Sequence, residues 1–241
     1  MLLWQQKIQI QMKYQLLLSF VGLIVVAFLI LFPPKVTAIF PWRKPFIGLI
    51  FDICCFLGLL AVFSPSKCGK ILEHKKVKSN ISSEKLLSQS KSFTLMGHHS
   101  TCGKYSDHVF HINSKTYCAA CEGLLVGGLL ALVGSVIYFF VGLNVPENSL
   151  FFTLLAIFSI IIGIFQFAFK SLIRFFANIF FVLGSLLILI QVDATVSGLF
   201  FDLFVLCLII FWLLTRISFS QWDHKRICFD CGIQNCAVRT K

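Results

Sequence analysis

The stretch from Gly97 to Gly123, GHHSTCGKYSDHVFHINSKTYCAACEG, concentrates the side chains best suited to chemistry. His99 and Cys102 flank two residues and precede Gly103; Cys118 and Cys121 repeat that spacing and precede Glu122 and Gly123. Thiolate and imidazole are the ligands that Zn²⁺ takes in tetrahedral sites, and two chelating pairs 15 residues apart have zinc-ribbon spacing. Between them, His108 to Ile112 and Lys115 to Tyr117 read as two short strands about an Asn-Ser turn, which brings the pairs together. The expected zinc ligands are therefore His99, Cys102, Cys118 and Cys121, with His98 the alternative to His99. Four protein ligands leave no open position for a catalytic water, so the site reads as structural. Without metal, the same cysteines would be small buried apolar residues or a redox pair. His108 and His111 are expected on the hairpin surface.

A second cluster closes the chain, DHKRICFDCGIQNCAVRTK. Cys228, Cys231 and Gly232 repeat the knuckle, Cys236 follows, and His224 is the nearest fourth ligand, so a second zinc or docking of this tail on the first module is the expectation. The segment from His98 through TYCAACEG into an apolar, Gly-rich helix resembles a family of uncharacterised prokaryotic membrane proteins. Their signature is an upstream His or Cys and then C-A-R-C-T-G entering a transmembrane helix. Cys118, Cys121 and Gly123 match, whereas Ala120 and Glu122 stand in place of Arg and Thr. The resemblance covers about 40 residues near the third span; it implies a membrane location and a metal-type motif and carries no activity.

The elements that must position these residues are set by composition. Only 13% of the 241 residues are charged, against about 25% in a soluble domain, and mean hydropathy is +0.88. A soluble globule, a disordered chain and a secreted disulfide scaffold are excluded. Six apolar tracts approach the roughly 20 residues a bilayer requires: Leu16 to Phe32, Phe46 to Phe63, Gly123 to Leu143, Ser149 to Phe169, Leu172 to Ile190 and Ala194 to Thr215. The expected fold is thus an all-α polytopic membrane protein of six transmembrane helices, with a small zinc-ribbon-like β-hairpin module between helices two and three. Of the 21 Lys and Arg, 18 fall on the side of both termini, which places the termini in the cytoplasm of a multi-pass cell-membrane protein. Val36-Thr37-Ala38 imitates a cleavage site, but the first apolar tract exceeds a signal h-region and is expected to be retained. The organisation reads as residues 1–63, the N-terminal segment and helices one and two; 64–96, a basic cytosolic linker; 97–122, the zinc module; 123–215, helices three to six; and 216–241, the Cys-rich tail.

Two ionisable residues fall inside spans, Asp52 and Asp202, each closing a similar pentapeptide, GLIFD and GLFFD. They read as lying at similar depth with no Lys or Arg beside them, which requires protonation, a polar cavity or a shared cation. Cys55 follows Asp52 on the same helical face. Gln166 and Asn178 are expected to bond across spans four and five, with Arg174 reaching the headgroups. Gly123, Gly127 and Ala131 form a small-residue face that permits close helix packing.

No Ser-His-Asp order, phosphate-cradling loop or H-E-x-x-H pattern occurs, so no catalytic residue is assigned. The leading reading is a non-enzymatic membrane protein whose cytosolic zinc module docks a protein partner or serves in sensing; nine lysines in that loop also admit nucleic acid. The alternatives are a cation or metal transporter using Asp52 and Asp202, and a membrane thiol oxidoreductase using Cys118 and Cys121.

Overall fold

The computed structural model describes residues 2–36, 40–63, 107–112, 115–143 and 150–230. The described chain is mostly helical: α1 (Leu2–Leu31), α2 (Arg43–Phe63), strands β1 (Val109–Ile112) and β2 (Lys115–Cys118), α3 (Ala119–Ser135), α4 (Leu150–Ile164), α5 (Ser171–Val196) and α6 (Leu199–Asp230). Pro33 and Pro34 follow the end of α1, where an imino acid cannot continue the helical ladder. Pro45 sits in the first turn of α2, where its missing N–H costs nothing. A π-helical turn, Val136–Val141, extends α3, and Gly142 closes it at φ 86°, a left-handed conformation that favours glycine.

Five helices, α1, α2, α3 with its π turn, α5 and α6, contain stretches long and apolar enough to cross a bilayer, which marks this as a helical membrane protein. Large apolar side chains such as Leu17, Ile24, Phe28, Leu57 and Val133 are exposed along these helices, as expected of surfaces solvated by lipid. The fourth apolar tract yields only the 15 residues of α4, followed by a single 3₁₀ turn over Gln166–Ala168.

The last two boundaries differ from the hydropathy reading. Asp193, expected in a loop between spans five and six, lies in the last turn of α5, and α6 begins at Leu199 rather than Ala194. Buried Gln191 and Asp193 depress hydropathy without ending the helix. The turn falls instead at Ser197, with φ 54°, and Gly198; Ser197 N–H and Oγ both donate to Asp193 O, at 3.2 and 3.1 Å.

Helix packing follows the small residues. Lipid tails are as apolar as leucine, so helices associate through close contact rather than hydrophobic exclusion. α3 and α5 run parallel: Gly123 lies against Phe175 and Asn178, Gly127 against Ile179, and Gly134 against Leu186. A Cβ on Gly127 would stand 3.0 Å from Ile179 Cα, and one on Gly123 would overlap the Phe175 carbonyl oxygen. Ala131 is fully buried on the same helix, and Gly128 on a neighbouring face receives Leu59 of α2. α4 packs antiparallel to α5, Gly163 under Phe181 and Gly184 under Ser159. α1 joins through α6, where Trp212 Nε1 donates to Ser19 O at 3.3 Å and Gly22 meets Leu208.

Gly123→Leu should lower stability by about 3 kcal/mol or more, because its side chain meets backbone rather than a movable neighbour. Gly58→Ala, which meets no described atom within 4 Å, should be neutral or stabilising by up to about 1 kcal/mol. Denaturant titration in detergent micelles checks the contrast; equal loss in both would refute the packing argument.

Candidate functional site

Polar side chains gather at opposite ends of the bundle. At one end, the two-residue turn Ser197-Gly198 sets Asp193, in the last turn of α5, near Asp202, in the first turn of α6. Both are fully buried, and Arg43 at the start of α2 is buried between them. Arg43 Nη1 lies 2.6 Å from Asp193 Oδ1 and also pairs with Asp202 Oδ2. Tyr138 Oη donates to Asp193 Oδ2 at 2.7 Å, and Lys44 Nζ, 43% exposed, stands 3.7 Å from the same oxygen. Two cations therefore offset two carboxylates, which satisfies the requirement that charges withdrawn from water be paired.

This arrangement corrects the expectation that no basic residue accompanies Asp202. The second apolar tract begins at Phe46, which leaves Arg43 outside the span; the helix starts three residues earlier. Nor do the two aspartates share a depth. Asp52 lies nine residues along α2 and Asp202 three along α6, or about 14 and 5 Å at 1.5 Å per residue. Gly48 of the first pentapeptide is helical and packs on Phe139, whereas Gly198 of the second lies in the α5–α6 turn, so the matching pentapeptides occupy different structural positions. Asp52 instead neighbours Ser135, the last residue before the π turn. Asp52 Oδ1 and Ser135 Oγ are buried, and neither closes a hydrogen bond of ordinary geometry.

The other end carries the hairpin. Val109 pairs with Cys118 and Phe110 with Tyr117, in the antiparallel register that the sequence predicts. Ser171 Oγ donates to Val109 O at 2.8 Å, and the Phe110 ring meets Phe175 edge-on, which fastens the hairpin to the start of α5. Cys118 ends β2 and is also the N-cap of α3, and Cys121 falls in the first turn, one helical turn further on. A helix N-terminus favours negative charge, the character of metal-bound thiolates.

Arg174 organises this end. Its Nε and Nη2 donate to Phe169 O and Phe167 O at 3.1 and 2.9 Å, and Nη1 meets His108 Nδ1. Asp223 of α6 lies 3.6 Å from both Arg174 Nη2 and His108 Nε2, and its other oxygen accepts from Arg226 at 3.0 Å. The rings of His108 and His224 are 5.4 Å apart between centroids. Arg174 also lies within electrostatic range of Cys118. Two expectations are corrected here: His108 is buried rather than on the hairpin surface, and Arg174 is buried by carbonyls and Asp223 rather than extended to headgroups. The cause is the long continuation of α6, which carries Asp223 and His224 beyond the sixth apolar tract onto the hairpin. Asn178 Nδ2 donates to Gln166 Oε1 at 2.7 Å, as expected, and Arg216 joins both amides, a partner that sequence spacing does not reveal.

Of the expected zinc ligands, Cys118 and Cys121 are brought together, whereas His99 and Cys102 lie outside the described residues. His224 and Cys228 belong to the end of α6, and Cys231 and Cys236 lie outside the described residues. Among the described residues, no group of three or more His, Cys, Asp or Glu could by itself hold a metal ion. The described part of each set thus supplies only a fraction of a four-ligand centre. No family model, curated protein or solved structure matches this chain.

Removing Arg43 leaves two buried carboxylates without their cation, so Arg43→Ala should cost about 3–5 kcal/mol. Adding Asp193→Asn and Asp202→Asn should restore much of that loss, since no charge is then stranded. Unfolding of single and triple variants in micelles measures the difference; equal stability would show that charge pairing is not the cause.

Proposed function

We propose that this chain is a non-enzymatic protein of the cell membrane, with both termini cytoplasmic, whose Cys/His zinc module docks a cytosolic protein or reports metal status. The observation that carries the reading is the double role of Cys118. It ends a hairpin strand and caps the helix holding Cys121, so two thiols one helical turn apart stand on a rigid base. His99 and Cys102 would complete a Cys₃His centre. Three thiolates and Zn²⁺ leave a single net negative charge, which Arg174 near Cys118 and the α3 N-terminus would offset. When bound, the metal would supply structural cross-linking rather than a reactive water. The likeness of the segment entering α3 to the C-A-R-C-T-G signature agrees with this reading.

Six crossings fit the even number that two cytoplasmic termini require. The sixth crossing would be α4 with its 3₁₀ turn, an apolar helix of 15 residues packed antiparallel to α5. The tail cluster, His224, Cys228, Cys231 and Cys236, is the proposed second zinc set, and the ring contact of His224 with His108 supports its docking on the first module. Nucleic acid is the weaker partner, because the same lysines are required by topology. The transporter reading loses Asp202 to Arg43 and retains Asp52. The oxidoreductase reading requires metal-free thiols at Cys118 and Cys121.

Elemental mass spectrometry of the full chain, purified without chelator, should find one or two zinc ions per protein. Cys118→Ser/Cys121→Ser should lose one of them. Zinc-free protein with readily alkylated Cys118 and Cys121 would overturn the proposal in favour of the redox reading.

A further inference from the structure

Along the seam between α2 and α3 the two helices pack antiparallel in one continuous register: Gly48 lies on Phe139 and Phe140, and Leu59 lies on Gly128. Between those contacts Asp52 neighbours Ser135. Asp52 is nine residues along the 21-residue α2, about 14 Å from its start, and so lies deep in the apolar layer. Leu49, Ile53 and Phe56 around it are exposed, as lipid-facing side chains are.

Ser135 contrasts with other helix serines of this chain. Ser19, Ser185 and Ser218 each turn the hydroxyl back to the carbonyl four residues earlier, at 2.8, 2.8 and 2.9 Å, the usual local partner of a serine inside a helix. Ser135 is fully buried, yet its Oγ closes no such bond, and Asp52 Oδ1 is likewise buried without a hydrogen-bond partner. A buried hydroxyl and a buried carboxyl oxygen left in this way each cost free energy unless something joins them. The π turn begins at the next residue, Val136, and such turns recur at functional sites.

Asp52 also departs from the other buried carboxyl groups. Asp193 and Asp202 meet Arg43, and Asp223 meets Arg174 and Arg226. Among the described residues no Lys, Arg or His pairs with Asp52. The titratable group beside it is the Cys55 thiol, one turn further along α2, which supplies no positive charge. A Mg²⁺ or Ca²⁺ ion takes roughly six or more oxygens, whereas this seam offers one carboxyl group and one hydroxyl. A proton needs only those two.

We infer that Asp52 and Ser135 form an intramembrane proton-binding site, in which the Asp52 carboxyl takes up a proton and donates it in a hydrogen bond to Ser135 Oγ. The bound proton removes a charge that hydrocarbon disfavours and gives the buried hydroxyl a donor. Only the carboxyl O–H bond forms on uptake, and its release regenerates the carboxylate and one H⁺. The site lies in the α2–α3 seam and does not depend on the zinc module.

Infrared difference spectroscopy of the full chain in phosphatidylcholine vesicles tests it. At neutral pH the expected spectrum contains the C=O stretch of a protonated carboxylic acid, which Asp52→Asn removes and Asp52→Glu, keeping a carboxyl group, retains at a shifted position. Ser135→Ala should keep the band but move it to higher wavenumber, because the acid loses its hydrogen-bond partner. Ser185→Ala, whose hydroxyl bonds to Phe181 O, should leave it in place. Raising the pH should convert the band to carboxylate stretches, and returning to neutral pH should restore it. Loss of carboxylate stretches, rather than of the acid band, in Asp52→Asn at neutral pH would show an ionised Asp52 held by a cation or by a partner's basic side chain, and overturns the inference. An acid band that ignores Ser135→Ala, or that does not return after the pH cycle, overturns it as well.

Discussion

The parallel seam between α3 and α5 is the constraint on which both ends of the molecule depend. Within lipid no hydrophobic force separates helix–helix from helix–lipid contact, so the approach must come from backbone proximity, which Gly123 and Gly127 permit. Because the helices run side by side in one direction, the same register that seats Gly123 on Phe175 at one end delivers Tyr138 to Asp193 at the other. A slip along this seam would displace the hairpin and the buried ion set together.

The two ends handle buried charge differently. Around Arg43, the balance is compact, with carboxylates from α5 and α6 closing on one guanidinium and Lys44 completing neutrality at the rim. Around Arg174, much of the guanidinium is satisfied by carbonyls freed where α4 gives way to a 3₁₀ turn, and Asp223 supplies the opposite charge. The first set joins helices to one another. The second joins the bundle to a hairpin and to the end of α6, so cysteine-bearing segments rest on a base set by the apolar helices.

That connection gives the proposed zinc module a mechanical setting. Cys118 and Cys121 stand at the start of α3 with no intervening linker, and His108, the neighbour of Val109 that pairs with Cys118, has its ring beside that of His224 of α6. A shift of α3 relative to α6 would therefore be felt at the thiols.

Class, apolar tracts, the hairpin and the small-residue face of α3 were legible in the sequence, because each depends on local periodicity or composition. The Asn-Ser turn between two short runs was enough to mark the two strands, and Gly spacing was enough to mark the packing face. The ion partners were not legible. Arg43 and Asp202 are 159 positions apart, and hydropathy treats a buried paired charge as a reason to end a span, which moved both Asp193 and Arg43 out of the helices that hold them. Likewise, Arg174 and His108 looked solvent-facing until the long continuation of α6 brought Asp223 to them. Local pattern determines which segments are helices in lipid; only tertiary structure decides which buried charges meet, because the cost of burying each is removed by a partner distant in the chain.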